Sequence, residues 1–251
     1  MQTFRRWFAI IGWKLTTMSH INYILARKRT GLPTTHSALP KALKMANIRQ
    51  KSHFAPKESL KILNSTLKLT ESAKLRAIVK RKTSVGKEFK TDIELSKSSM
   101  KPISLKNEPH ENYRFEGAQT LIDGLSGGKN YKTGRWIAFF GENLDATIDL
   151  QENQEISNLK FNNNLTKGDW IFNAKSVKIS VSDDGKEFKE IHYQEFPIET
   201  IAEDGVMNFN VDFDKTNARY VNVVIEPFMC PEGHSGYGYP AWIFVDELKI
   251  N

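Results

Sequence analysis

Cysteine is nearly missing from this chain: Cys230 is the one example in 251 residues. A lone thiol excludes an internal disulfide framework and cysteine-rich zinc sites. Long apolar runs are missing too. The longest near the start, residues 7–13, is far short of the roughly 20 residues a spanning helix needs, so no membrane span is expected. Arg5 and Arg6 precede that run, but no small-residue cleavage site follows it, so it makes no convincing signal peptide. There is no glycine-rich phosphate loop with its lysine and no pair of histidines at metal spacing. No nucleophile pattern surrounds His192 or His234.

Acidic residues are absent before Glu58. Residues 1–110 hold 23 Lys/Arg against 6 Asp/Glu, and residues 111–251 hold 13 against 23, which gives the net charge of +7. So uneven a division marks a tail unlike the domain it precedes, or a nucleic-acid or membrane contact. Residues 1–57 combine basic clusters and scattered aromatics with no sustained period. They read as a disordered or aberrant basic leader, with short basic helices at 21–29 and 38–48. Nucleic-acid binding through this segment is an alternative function. It predicts affinity that falls steeply with salt.

From residue 58 the pattern changes. Apolar and polar residues alternate at 67–69, 75–79 and 89–95, the period of half-buried strands. Three strands bury little area, so 58–105 reads as part of a small β-sandwich. Residues 106–114 are polar and read as a linker. Strand signals then recur at 146–150, 156–161, 177–182, 206–211, 218–225 and 242–250, separated by turns such as Asp183-Asp184-Gly185 and Glu203-Asp204-Gly205. Successive alternating strands with no helical segment between them indicate an all-β, antiparallel β-sandwich over 106–251.

The residue types suited to chemistry are sparse; those suited to sugar binding are not. A sugar presents apolar C–H faces ringed by hydroxyls, so its site needs aromatic platforms and planar hydrogen-bonding side chains. Three loops supply them: Gly134-Arg135-Trp136, Asn162-Asn163-Asn164 through Asp169-Trp170, and His234-Ser235-Gly236-Tyr237-Gly238-Tyr239. Arg135, Trp170, His234, Tyr237 and Tyr239 are the candidate ligand contacts. Trp136 and Trp242 sit in apolar runs and read as core. His234 has a second reading, as the hydrogen bonder that fixes its loop.

Four segments carry a resemblance. LIDGLSGGKNYKTGRWIAFFGENLDATIDL (121–150), WIFNAKSVKISVSDDGKEFKEI (170–191), ARYVNVVI (218–225) and CPEGHSGYGYPAWIFVDELKI (230–250) resemble the discoidin-like, coagulation-factor type C domain at the C-terminus of bacterial family 20 β-N-acetylhexosaminidases. Residues 59–95 are similar to the end of the small sandwich that precedes it there. The resemblance breaks at 48–59, IRQKSHFAPKES, where the family has a turn-rich segment.

The resemblance implies a galactose-binding-like jelly roll and a non-catalytic carbohydrate-binding role beside the family's catalytic barrel. The barrel itself is missing from this sequence. The implied ligand is a glycan containing N-acetylhexosamine or galactose, and the implied location is periplasmic or extracellular. A structural calcium is implied as well, with Asp123 and Glu247 on the ligand positions; hard oxygens suit that ion. The family's hydrolases use an adjacent Asp-Glu pair. Asp246-Glu247 has those letters, but it lies in the accessory domain, where neighbours on a strand face opposite ways. A ligand-free buttress domain is the structural alternative to the binding function.

Overall fold

This computed structural model describes residues 20–27, 46–48, 51–52, 59–61, 71–80 and 85–251. The chain divides into two compact units, Met1–Leu95 and Ser96–Asn251.

In the first unit, β1 (His20–Arg27) lies parallel to β4 (Ser59–Lys61) and β5 (Ala73–Lys80), and antiparallel to β2 (Ala46–Ile48). β3 (Lys51–Ser52) pairs with β4, and β6 (Val85–Ile93) pairs antiparallel with β5. Residues 21–27, expected to be helical, are therefore strand. Residues 46–48 of the second expected helix, 38–48, are strand too. Apart from His20 and β3, the rest of the expected leader lies outside the described residues, as does the strand expected at 67–69. β5 and β6 carry the alternation at 75–79 and 89–93.

The second unit begins earlier than the expected 105/106 boundary. β7 (Ile103–Leu105) pairs with β9 (Leu144–Leu165), and Ser98 donates its hydroxyl to Leu248 O at 2.6 Å. Ser98 Oγ also accepts from Ile250 N at 3.1 Å, so residues 96–105 belong to this unit. The expected linker at 106–114 is built in as well: Lys106 N bonds Asp145 O, and His110 N bonds Ala138 O.

Eight strands form this unit. β8 (Ile137–Phe140), β10 (Ser176–Ser182), β11 (Lys189–Glu195), β12 (Gly205–Glu226), β13 (Trp242–Val245) and β14 (Lys249–Ile250) join β7 and β9. The path runs β11-β10-β12-β9-β13-β8, with β7 and β14 also on β9, and every pairing within it is antiparallel.

β9 and β12 each run for 22 residues, and each covers two of the strands expected from the alternation. Gln151 has φ of 72°, and its N–H is held by Asp149 Oδ1 at 2.7 Å. Ile156 keeps the inward parity of Leu144, Ala146, Ile148 and Leu150, and the parity changes before Leu159 and Phe161. Both halves nevertheless feed one core, joined by Val211, Val221, Val223 and Ile225 of β12. Two stretches of each long strand facing one another across that core make the sandwich. The all-β antiparallel fold read from the alternation is the fold observed.

The pair β8–β13 has a second buried face. Ile137, Phe139, Ile243 and Val245 point into the main core, while Ala138 and Phe244 pack outward with Tyr131, Trp136 and Ile171. That outer layer sets the loops that follow.

Candidate functional site

Two features of the C-terminal segment stand out, and they share one stretch of backbone. The first is a loop of exposed aromatics; the second is a set of buried carboxylates.

The loop spans Cys230–Tyr239. Cys230 N bonds Tyr239 O at 2.9 Å, His234 N bonds Pro231 O, Tyr237 N bonds His234 O and Tyr239 N bonds Gly236 O. These consecutive tight turns need the positive φ of Gly233 (82°) and Gly238 (80°). They lift Tyr237 and Tyr239 into solvent, at 64% and 63% exposure. Beneath them sits Trp170, half-buried, with its ring centroid 5.9 Å from that of Tyr239.

Trp170 is itself constrained. The short turn Lys167–Asp169 is closed by paired bonds between Thr166 and Ile171, and it leaves Trp170 at φ of 64°, a left-handed conformation unusual for a bulky residue. Tyr131 Oη donates to Asp169 Oδ2 at 2.6 Å, and Lys167 pairs with Asp204 at 3.0 Å. A Cβ on Gly236 would stand 2.8 Å from the Trp170 ring, so only glycine fits that contact. Strain held in place by surrounding bonds is a mark of a site arranged for contact.

His234 does not point its nitrogens outward. Nδ1 accepts from Gly236 N at 3.1 Å, which leaves the proton on Nε2 to donate to Lys167 O at 2.9 Å. The ring also packs edge-on against Phe172 at 5.3 Å. With both nitrogens used, His234 ties the tyrosine loop to the tryptophan loop, the second of the two roles expected of it.

The loop expected at Asn162-Asn163-Asn164 is corrected. The stretch lies in β9, not in a loop, and its amides are used inside the protein. Asn162 Nδ2 donates to Asp246, Asn163 bonds Phe244 O and Ala174 N, and Asn164 donates to Lys129 O. Together they tie residues 244–246, Ala174 and Lys129 to one strand.

The carboxylates follow directly after β13. Asp246, fully buried, accepts from Gly127 N at 2.7 Å and Asn162 Nδ2 at 2.9 Å, and also from Glu247 N. Burial pushes its pKa up to about 6. Glu247, also fully buried, accepts from Gly124 N and Leu125 N through Oε1, while Oε2 has no partner. Burial, then the neighbouring Asp123 carboxyl, holds Glu247 well above the usual carboxylate range. Burial likewise raises Asp123, against the partial pulls of the Glu247 side chain and then the Arg135 guanidinium.

Arg135 is thus placed near the carboxylate pair. Among the described residues no hydrogen bond, ion pair or ring contact joins it to Trp170, Tyr237 or Tyr239. Trp136 is fully buried and donates Nε1–H to Gly128 O at 3.1 Å, so it is core, as its apolar run suggested.

Some exposed rings went unread in the sequence. Phe140 is 40% exposed and packs 4.8 Å from Trp242, which meets His110 at 4.9 Å and Tyr113 at 5.6 Å. The doublet Phe139-Phe140 held the signal, because adjacent residues of a strand face opposite ways and one of the two must leave the core.

An antiparallel β-sandwich that carries its irregular, aromatic-rich loops off a rigid frame is a scaffold of the binding-domain class. The chain matches the F5/8 type C domain over residues 97–242, more than half its length, and belongs to that family. Among solved structures it is similar to a Streptococcus pneumoniae fucose-binding module, at 14% identity over 62% of this chain and 94% of that one, with a TM-score of 0.42. It is also similar to a Clostridium perfringens module in complex with GalNAc-β-1,3-galactose, at 20% identity over 59% and 93%, TM-score 0.38. A third is the chitosan-binding module 1 of a chitosanase/glucanase from Paenibacillus sp. IK-5, at 15% identity over 62% and 98%, TM-score 0.39. A comparison with curated proteins finds no match. No helix among the described residues is long and apolar enough to cross a membrane.

Proposed function

We propose that this chain is a non-catalytic carbohydrate-binding module. The glycan, one containing N-acetylhexosamine or galactose, stacks on Tyr237 and Tyr239 beside Trp170. The observation that carries this reading is the pair of largely exposed tyrosines on a loop whose every turn is hydrogen-bonded. Exposed rings held rigidly lose little conformational freedom on binding, and they offer flat apolar area to sugar C–H faces. His234 and Gly236 act beneath the platform as positioning residues.

The resemblance to the C-terminal region of family 20 β-N-acetylhexosaminidases supports a finer reading, in which the module serves such an enzyme's catalytic barrel outside the cytoplasm. Its contribution there is local concentration of substrate through added contacts.

Asp123 and Glu247 are the residues that would hold a structural calcium. They fit that ion: burial raises the cost of ionising both carboxyl groups, Asp123 raises that of Glu247 further, and Glu247 Oε2 is buried without a hydrogen-bond partner. A bound cation would relieve both conditions. No cluster of three or more His, Cys, Asp or Glu stands there or elsewhere among the described residues, so its remaining ligands would be uncharged oxygens. Calcium takes such a mixed set readily.

Titration calorimetry of the full chain against N-acetylglucosamine, galactose and β-1,4-linked N-acetylglucosamine oligomers, with calcium and with EDTA, tests the reading. Saturable binding that Tyr237→Ala or Tyr239→Ala weakens about tenfold is expected. Binding to none of these ligands at millimolar concentration would leave a buttress domain and overturn it.

A further inference from the structure

Resting on that reading, we propose that the glycan site extends past the tyrosine loop onto a second aromatic platform, Phe140, Trp242 and His110. The ligand is then an extended β-linked oligosaccharide of several units, not a single terminal sugar.

The two platforms are continuous in backbone. Tyr239 and Trp242 are separated only by Pro240 and Ala241, and Trp242 N bonds Trp170 O at 2.9 Å. Pro240 pairs with the exposed Met229 in an isolated bridge. It also lies against Gly141, where a Cβ would come within 2.8 Å of it. Met229 and Pro240 thus place apolar surface beside the segment that joins the two platforms.

On the second platform, Trp242 and Phe140 are cross-strand partners of β13 and β8, so both rings leave the same face of the sheet. Their centroids are 4.8 Å apart and tilted by 43°. Phe244 and Ala138, the next partners on that face, are buried under Tyr113 and Tyr131. Phe140 lies where that cover ends, which is why a core-type residue stands 40% exposed.

His110 supplies the hydrogen bonding. Its Nδ1 accepts from Asn112 N at 3.3 Å, so its proton is on Nε2, and Nε2 makes no hydrogen bond among the described residues. The ring stands edge-on to Trp242 at 78°. A half-buried donor beside two tilted rings is the pairing a sugar requires: apolar area for the ring face and a donor for a hydroxyl. Rings side by side across a strand pair, continued by the tyrosine loop, suit a straight, equatorially linked chain whose successive units present their C–H faces.

Affinity of the full chain for β-1,4-linked N-acetylglucosamine of one, two, four and six units, in wild type and in Phe140→Ala, tests this. Phe140 is chosen because its exposed ring can be removed without opening the core, and circular dichroism checks the fold. The expected result is wild-type affinity that rises about tenfold or more between the two- and six-unit ligands. In Phe140→Ala that rise is lost, affinity for the single sugar is unchanged, and Phe140→Trp restores the rise. Tyrosine-dependent binding that is equally tight at every length, or a length dependence untouched by Phe140→Ala, overturns the extended site and leaves the tyrosine site standing. No binding at any length overturns both.

Discussion

Residues 230–239 and residues 246–247 lie in one C-terminal segment and use their side chains in opposite ways. The loop puts large rings where water can reach them and spends its polar atoms on internal turns. The carboxylates put charge where water cannot reach, and one oxygen goes unpartnered. Each arrangement is costly for a solitary domain, but in a different currency. Exposed rings cost little stability and make sense only if something covers them. Buried carboxylates cost much stability and make sense only if a cation or a network compensates them. The loop is thus the region to probe by binding and the carboxylates the region to probe by unfolding.

The largest effect should come from Asp246→Ala. It would strand Gly127 N, the Asn162 amide and Glu247 N in a buried place, at a cost of about 3 kcal/mol or more. Urea unfolding measures it. A loss below about 1 kcal/mol would show that the network bears little of the fold and would erase the contrast with the loop.

The pH dependence comes next. The folded protein raises Asp246 from its ordinary 3.8 to about 6, so its folded form holds the proton more tightly than its unfolded form. The associated stability is full below pH 4 and is lost as pH rises through 6, on the order of 3 kcal/mol. Asp123 and Glu247, raised in the same direction, add to that loss. In EDTA the melting temperature should therefore fall between pH 4.5 and 7.5. Calcium should reduce the fall, because a cation holds carboxylates in their charged form. A melting temperature that climbs with pH in EDTA would mean that the carboxylates are already compensated.

Gly236→Ala should cost about 1–3 kcal/mol, as an overpacked contact does, because its Cβ would press the Trp170 ring. It should weaken sugar binding as well, by tilting Trp170 away from Tyr239. Unchanged affinity with reduced stability would remove Trp170 from the platform and leave it a packing residue.

Much of this was legible in the sequence. Alternation located β9, β10, β12 and β13, because their buried and exposed positions tend to alternate. It split β9 and β12 in two, since inward parity changes where a long strand bends. β8 was missed because Trp136-Ile137-Ala138-Phe139-Phe140 is buried on both faces over most of its length, and a strand buried on both sides does not alternate. β11 was missed for the opposite reason: as an edge strand with charged ends it buries too little to show a period. The exposure of Tyr237 and Tyr239 was legible because glycines flank them. The asparagines of 162–164 misled because an amide looks the same in sequence whether it meets a ligand or a backbone. Which of the two it meets depends on tertiary contacts, here with residues as distant as Asp246.

The smallest stability effect should come from Tyr237→Ala and Tyr239→Ala. Both rings are more than half exposed, and neither hydroxyl is tied to the protein among the described residues. Removing either should move stability by no more than about 0.5 kcal/mol. If the loop is a binding surface, the same substitutions should lower sugar affinity about tenfold, and the two readouts will separate cleanly. A Tyr239 substitution that destabilises by several times that margin would show that the ring props Trp170 in its left-handed turn. The loop would then resemble the carboxylate end after all: a structural device that happens to face water.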